Sequence, residues 1–190
     1  MGLLSKSNVK LGLVVGFSIS TKSCTMYRHK KYQGCKVYCY AKKCERLRPV
    51  VRKKWERNLR ATKRGDFVYK MCDELDFSGD YVRVHVSGDF YSQEYLNKWF
   101  EIARIFKHKH FLVYTKAIDL DYGKRPKNFK VILSDDTMIW QDLHKKFDGV
   151  ATMEPFNDDY FTCPYVKEHA TCDHCLYCFT KNPKVFFIKH

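Results

Sequence analysis

The chain has 190 residues, nine cysteines and a formal net charge of +14. A length of this order suits one domain that buries roughly 70% of the surface its unfolded chain exposes, so folding needs no cross-links. The apolar run 11–17 is shorter than the roughly 18 residues of a membrane span and lacks a small-residue cleavage site, so neither a membrane helix nor a secretory leader is expected. An odd number of clustered cysteines excludes a fully paired disulfide framework and points to metal ligation in a reducing compartment, the cytoplasm.

Residues 11–18 read as a buried strand. After Pro49 a helix places Val51, Trp55 and Leu59 on one face, and Phe67, Met71 and Leu75 repeat that spacing with Cys72 as a small apolar neighbour. Residues 81–86 alternate as a strand, and the next helix carries Tyr95, Trp99, Ile102 and Phe106. Short apolar runs at 111–114, 131–133, 150–153 and 185–188 complete a series of strands. Strands alternating with helices predict an α/β fold with mainly parallel strands, open or closed into a partial (β/α) barrel, followed by a cysteine-rich C-terminal segment. No internal repeat or linker divides the chain, so residues 1–190 form a single expected domain.

Polar residues follow the predicted strands: Ser18 and Ser20, then Ser87, Gly88 and Asp89, then Thr115 and Lys116, then Ser134, Asp135 and Asp136, then Glu154. Loops at the C-terminal ends of parallel strands converge on one crevice, which makes this series a candidate binding edge. Ser and Asp also cap helices and shape turns, and each position taken singly is explained that way. His85 leads into this edge and is the one histidine whose position suggests a role.

Residues 28–70 contain sixteen Lys or Arg against Glu45, Glu56 and Asp66, so most of the net charge originates there. Such a field favours nucleic acid or another anionic partner, with Tyr27, Tyr32, Tyr38 or Tyr40 available for stacking on bases; the alternative is a solvated basic helix face. The cysteines fall into two groups. Cys24, Cys35 and Cys39, with Cys44 close behind, lack the two close pairs usual for zinc and suit three-thiolate ligation of a soft metal or cluster. Cys163, Cys172, Cys175 and Cys178, within residues 160–180, supply four thiolates at the tight spacing of ferredoxin-type ligation, with structural zinc as the alternative.

The strand followed by Cys24, Cys35 and Cys39-Tyr40-Ala41, the run from Val84 to Ser92 through Ser87-Gly88-Asp89-Phe90, Trp99, Tyr114-Thr115-Lys116 and the cysteine-rich tail resemble the phage-associated gene product eighty-eight family, over roughly residues 14–180. That family resembles radical S-adenosylmethionine (SAM) proteins. The resemblance implies a partial barrel in which Cys24, Cys35 and Cys39 hold a [4Fe-4S] cluster whose open iron binds SAM, with Ser87, Gly88 and above all Asp89 near its amino group. A second [4Fe-4S] cluster on Cys163, Cys172, Cys175 and Cys178 would exchange electrons with a donor, while Thr115, Lys116 and Asp135 would line the cofactor and substrate edge. The expected function is a radical-SAM-like iron-sulfur enzyme modifying an anionic macromolecule, in the host cytoplasm if phage-encoded. Two further readings stay open: a non-enzymatic nucleic-acid-binding metalloprotein, and an electron carrier with two clusters. The sequence has no phosphate-binding Gly-x-x-x-x-Gly-Lys loop, no Gly-x-Ser-x-Gly elbow and no His-Glu-x-x-His helix.

Overall fold

The computed structural model describes residues 2–5, 8–25, 39–136, 140–154, 159–180 and 182–188. Its strands are β1 (Leu4–Ser5), β2 (Val15–Phe17), β3 (Tyr81–Val84), β4 (His110–Thr115), β5 (Phe129–Ser134), β6 (Gly149–Thr152), β7 (Phe161–Thr162) and β8 (Lys184–Phe186). They form one sheet in the order β1-β2-β3-β4-β5-β6-β8-β7, in which only β1 runs antiparallel to its neighbour. The α/β class and the mainly parallel sheet match the sequence-based expectation. The first predicted strand is shorter than expected, because residues 8–14 turn on themselves through Leu11 N and Gly12 N bonding to Asn8 O.

Between β2 and β3 lie α1 (Tyr40–Leu47), α2 (Pro49–Thr62) and α3 (Phe67–Asp76), and α4 (Gln93–Ile105) joins β3 to β4. Pro49 opens α2, where a missing backbone donor costs nothing, and the Ser92 side chain caps α4 by accepting from Tyr95 N at 3.2 Å. Phe67, Met71 and Leu75 of α3 and Tyr95, Leu96, Trp99 and Ile102 of α4 are buried against Phe17, Val82, Val84, Phe111 and Val131 of the sheet. Trp99 meets the edges of Phe17, Phe67 and Phe111 at centroid distances of 5.2, 5.9 and 6.4 Å, an arrangement that aromatic quadrupoles favour.

The predicted face of α2 is only half-buried at Val51, Trp55 and Leu59, whereas Asn58 and Thr62 are fully buried. Asn58 Nδ2 donates to Leu3 O and Ser18 O, each at 2.9 Å, so a polar side chain joins β1 to the end of β2 where apolar packing was expected.

The opposite face of the sheet has a different cover. Leu112 and Tyr114 of β4, Ile132 of β5, Ala151 of β6 and Val185 of β8 pack there with residues of the short helices α6 (Cys172–Cys175) and α7 (Tyr177–Thr180), which follow the short helix α5 (Tyr165–Glu168) in the chain. Successive residues of a strand point to opposite faces, so Val82 and Val84 join the helix side while Tyr81 and Arg83 face this second cover. No helix among the described residues is long and apolar enough to cross a membrane.

Candidate functional site

The C-terminal strand ends do converge, and their polar groups satisfy one another. Gly88 takes φ +83°, and a Cβ there would collide with Ile19 and crowd Ser23, so the close approach that requires glycine is made by the chain itself. Ser87 Oγ donates to Ile19 O at 3.1 Å, Ile19 N to Ser87 O at 3.0 Å and Asp89 N to Ser23 Oγ at 3.0 Å. The Asp89 carboxyl, 7% exposed, accepts from Thr115 Oγ1 at 2.6 Å, Lys116 N at 2.8 Å and Phe90 N at 2.8 Å. Burial raises its pKa, and those three donors oppose the rise.

Lys116 extends the network: its Nζ donates to Ser134 Oγ at 2.5 Å and Asp136 Oδ1 at 3.0 Å. Buried Asp135 accepts from Trp140 N at 2.9 Å and shares a 3.0 Å bond with His144 Nε2. Beside this edge a cavity of about 110 Å³ is lined by Thr25, Phe90, Tyr91, Ala117, Asp119 and Leu120. The expected residues Ser87, Gly88, Asp89, Thr115, Lys116 and Asp135 therefore share one edge, with the Asp89 carboxyl engaged by donors of the chain. His85 is 3% exposed, sits at φ +59° and bonds Tyr95 through Nε2 at 2.8 Å. Burial first, then Arg83, lowers its pKa to about 3, so the ring is neutral.

The first cysteine group stands at the same end. Cys24 follows a short helical turn, Thr21–Ser23, and Cys39 caps α1, its Sγ accepting from Lys42 N at 3.5 Å. Glu45 holds the two elements together, its carboxylate accepting from Thr21 N at 3.1 Å and Thr21 Oγ1 at 2.5 Å. The Tyr40 hydroxyl donates to Val86 O, and although 59% of the residue is exposed, burial of the hydroxyl raises its pKa to about 12. Arg83 opposes that rise, and Cys39, Cys44 and Cys24 add to it. Cys44 lies within α1, the helix that Cys39 caps; Cys35, Tyr27, Tyr32 and Tyr38 lie outside the described residues.

The second group hangs from the turn before β2. Cys172 N donates to Lys10 O and Leu13 N to Asp173 Oδ2, both at 2.9 Å, and Cys163 N donates to Phe186 O at 2.9 Å. Gly12 takes φ +60°, where a Cβ would strike the Asp173 carboxylate. Cys163, Cys172 and Cys178, like Tyr114 and Leu176, pack against the apolar cluster on this face, and no disulfide joins the described cysteines. Burial raises the Cys178 thiol to about 11, opposed by Tyr114 and Arg83 and reinforced by Cys172 and Cys163. Burial also raises Cys172, with Arg83 and Lys10 opposing and Cys163 and Cys175 reinforcing.

Arg83 was not anticipated from sequence, where it reads as the polar member of an alternating strand. Its guanidinium carbon lies 3.9 Å from the Tyr114 ring centroid, and its Nε is buried without a hydrogen-bond partner. It acts electrostatically on Tyr40 beside the first thiol group and on Cys172 and Cys178 in the second. Two observations bear on whether metal fits. Thiols are soft donors that bind soft metals as thiolates, so the residue types of both groups suit such ligation. As placed, no three Cys, His, Asp or Glu side chains among the described residues gather closely enough to hold one ion.

The basic segment divides into two populations. Lys54 Nζ turns inward to Leu4 O at 2.7 Å and Ser5 Oγ at 2.8 Å, and Arg57 reaches Gly2 O at 2.7 Å. Arg52, Lys53 and Arg60 stay exposed on the outer face of α2, where Glu56 pairs at 2.7 Å with Lys22 from outside the helix. Lys63 lies 5.9 Å from the ring centroid of Tyr91, which lines the cavity.

This is an α/β protein with a polar edge at the C-terminal ends of its parallel strands and cysteines grouped in two parts of the chain. It belongs to the family described as Gene product 88, which it matches over residues 3–160, ending just short of Cys163. No curated protein and no solved structure matches the chain.

Proposed function

We propose that this chain is a thiolate metal protein on a partial (β/α) barrel, with [4Fe-4S] clusters as occupants of its cysteine groups and an anionic macromolecule as its substrate. The observation that carries the reading is the placement of the cysteines: no disulfide joins the described ones, Cys39 caps α1 and Cys44 lies within it, Glu45 of that helix ties down the turn that leads to Cys24, and Cys163, Cys172 and Cys178 pack on one face of the sheet. The barrel reading is supported by β2 to β6 standing in sequence order, with α3, α4 and the connections after β4 and β5 packed on one face, as in singly wound α/β sheets.

Cys24 and Cys39, with Cys35 by resemblance, would hold one cluster; Cys163, Cys172, Cys175 and Cys178 would hold the other. A bound cluster supplies one-electron chemistry at a potential tuned by nearby charge and hydrogen bonds. The chain's own part is to hold Cys24 against α1 through Glu45, and to present Lys116 and the Asp89 edge beside a small cavity. SAM belongs to the proposal as a ligand of the first cluster; three donors on Asp89 leave little of that carboxyl for its ammonium group. The cytoplasm, where thiols are kept reduced, belongs to this reading as the compartment.

Anaerobic purification followed by iron, sulfide and zinc analysis, with electron paramagnetic resonance of the reduced protein before and after SAM, tests this. Iron with matching sulfide is expected, and a SAM-altered spectrum would extend the reading to radical chemistry. Zinc without sulfide would overturn the cluster assignment. The exposed face of Arg52, Lys53 and Arg60 favours nucleic acid as the anionic substrate. Single-stranded RNA or DNA should bind with an affinity that falls steeply with salt, and salt-independent binding or none would remove nucleic acid from the proposal.

A further inference from the structure

The outer ridge of α2 and the cavity beside the strand ends meet. Arg52, Glu56, Arg60 and Lys63 follow one another at helical spacing and so share one ridge of α2 and its C-cap. Arg52, Arg60 and Lys63 are exposed, and Glu56 between them is paired with Lys22 at 2.7 Å. The C-terminal end of the ridge is fastened to the cavity wall: Thr62 Oγ1 and Tyr91 Oη share a 2.9 Å hydrogen bond, and Lys63 Nζ stands 5.9 Å from the Tyr91 ring centroid. The turn Thr21–Ser23 is tied to α2 at its start by Ser20 N, which donates to Trp55 O at 3.1 Å, and Thr25 just beyond that turn lines the same cavity.

Ridge and cavity suit different chemical groups. At about 110 Å³ the cavity is well below the size of pockets that enclose a whole small molecule, and it suits one ring of a ligand whose remainder lies outside. Phe90, Tyr91, Ala117 and Leu120 line it with apolar and aromatic surface, and Thr25 and Asp119 are its polar members. No Lys or Arg is among its described lining residues, so an anion has no partner inside, whereas the carboxylate of exposed Asp119 can accept from an amino group. A strand of nucleic acid carries both complements, phosphates for the ridge and flat rings for the cavity. We propose that ridge and cavity form one single-strand site, in which Arg52, Arg60 and Lys63 hold phosphates and an unpaired base enters the cavity against Phe90 and Tyr91, its exocyclic amino group donating to Asp119. This rests on the nucleic-acid reading and adds to it the strandedness, the seat of a base and a preference among bases. In a duplex the bases are stacked and paired, so none reaches such a cavity without leaving the stack. Cytosine or adenine is favoured over thymine, whose O4 would face the carboxylate acceptor to acceptor.

The test uses the reduced full-length chain with fluorescein-labelled probes of one length: oligo(dC), oligo(dT), an abasic sugar-phosphate chain and a duplex. Fluorescence anisotropy over a salt series gives affinity and salt slope. Oligo(dC) should bind most tightly, with the abasic chain and the duplex weaker by about fivefold or more. Ala117→Leu, which fills the cavity, should bring oligo(dC) down to the level of the abasic chain while keeping the salt slope. Asp119→Ala should erase the preference for oligo(dC) over oligo(dT), and Lys63→Ala should lower the salt slope by about one while leaving that preference in place. Circular dichroism verifies folding, and if Ala117→Leu fails to fold, Thr25→Trp, at an exposed lining position, is read in its place. Salt-dependent binding that is indifferent to base removal and to cavity filling would overturn the base site while leaving the nucleic-acid reading standing. Absence of salt-dependent binding to every probe would overturn both.

Discussion

The two faces of the sheet are built on different principles. The helix face is apolar and closed, with Phe17, Phe67, Tyr95, Trp99 and Phe111 essentially without exposure. The opposite face carries Arg83, Tyr114 and half-buried cysteines, with α6 and α7, helices of four residues each, in its cover. Close-packed hydrocarbon stabilises the first, whereas the second depends on pins between distant backbone segments and on groups with unused chemical capacity. The well-packed apolar core and the cysteines of the C-terminal group thus lie on opposite sides of one sheet, so their contributions can be probed separately.

The largest effect should come from Trp99→Ala, which opens a cavity among Phe17, Phe67 and Phe111 and should cost about 3–5 kcal/mol in urea unfolding. A much smaller loss would mean that the helix face is not the principal core. Asp89→Ala should follow at about 2–3 kcal/mol, because the Thr115 hydroxyl and the Phe90 and Lys116 amides lose their acceptor in a buried place. A stable Asp89→Ala variant would show that the carboxyl is held there for a ligand rather than for the edge itself.

His85 gives a pH-dependent test. Its folded pKa, about 3, lies below its ordinary value of 6.5, so the unfolded chain takes up the proton first as pH falls. Its neutral form therefore contributes fully above that ordinary value, and stability declines as pH falls from there towards about 3, with a slope of up to about 1.4 kcal/mol per unit. His85→Asn tolerates the positive φ and removes the titration, so its stability profile over this window should be flatter. Smallest in stability should be Arg52→Glu on exposed α2, within about 0.5 kcal/mol, while the salt slope of nucleic-acid binding drops by about one counterion. A slope unchanged by that substitution would return the outer face of α2 to a solubility role.

The helix face was legible in sequence because its signals are periodic. Phe67, Met71 and Leu75, and then Tyr95, Trp99 and Ile102, recur at helical spacing and are buried as that spacing requires. The strand-end residues were legible for a related reason: in a parallel sheet, chain order alone brings such ends together. What could not be read is set by long-range pairing. Asn58 resembles an exposed helix residue until Leu3 O and Ser18 O come within reach of its amide, and Glu45 resembles a surface carboxylate until Thr21 is placed beside it. Arg83 belongs to the same class, since alternation marks it as facing away from the core and says nothing of the tyrosine and thiols on that side. Of the basic segment, composition alone could not tell Lys54 and Arg57, which hold β1, from the residues left exposed.

Those two cations, with Asn58, have an effect beyond their own contacts. An edge strand ordinarily offers a row of carbonyl oxygens on which a foreign strand can template itself and extend the sheet into an aggregate. In β1 and the residues leading into it, the carbonyls of Gly2, Leu3 and Leu4 are already engaged by Arg57, Asn58 and Lys54. Part of the charge that suggests an anionic partner thus also serves as a guard against runaway self-association.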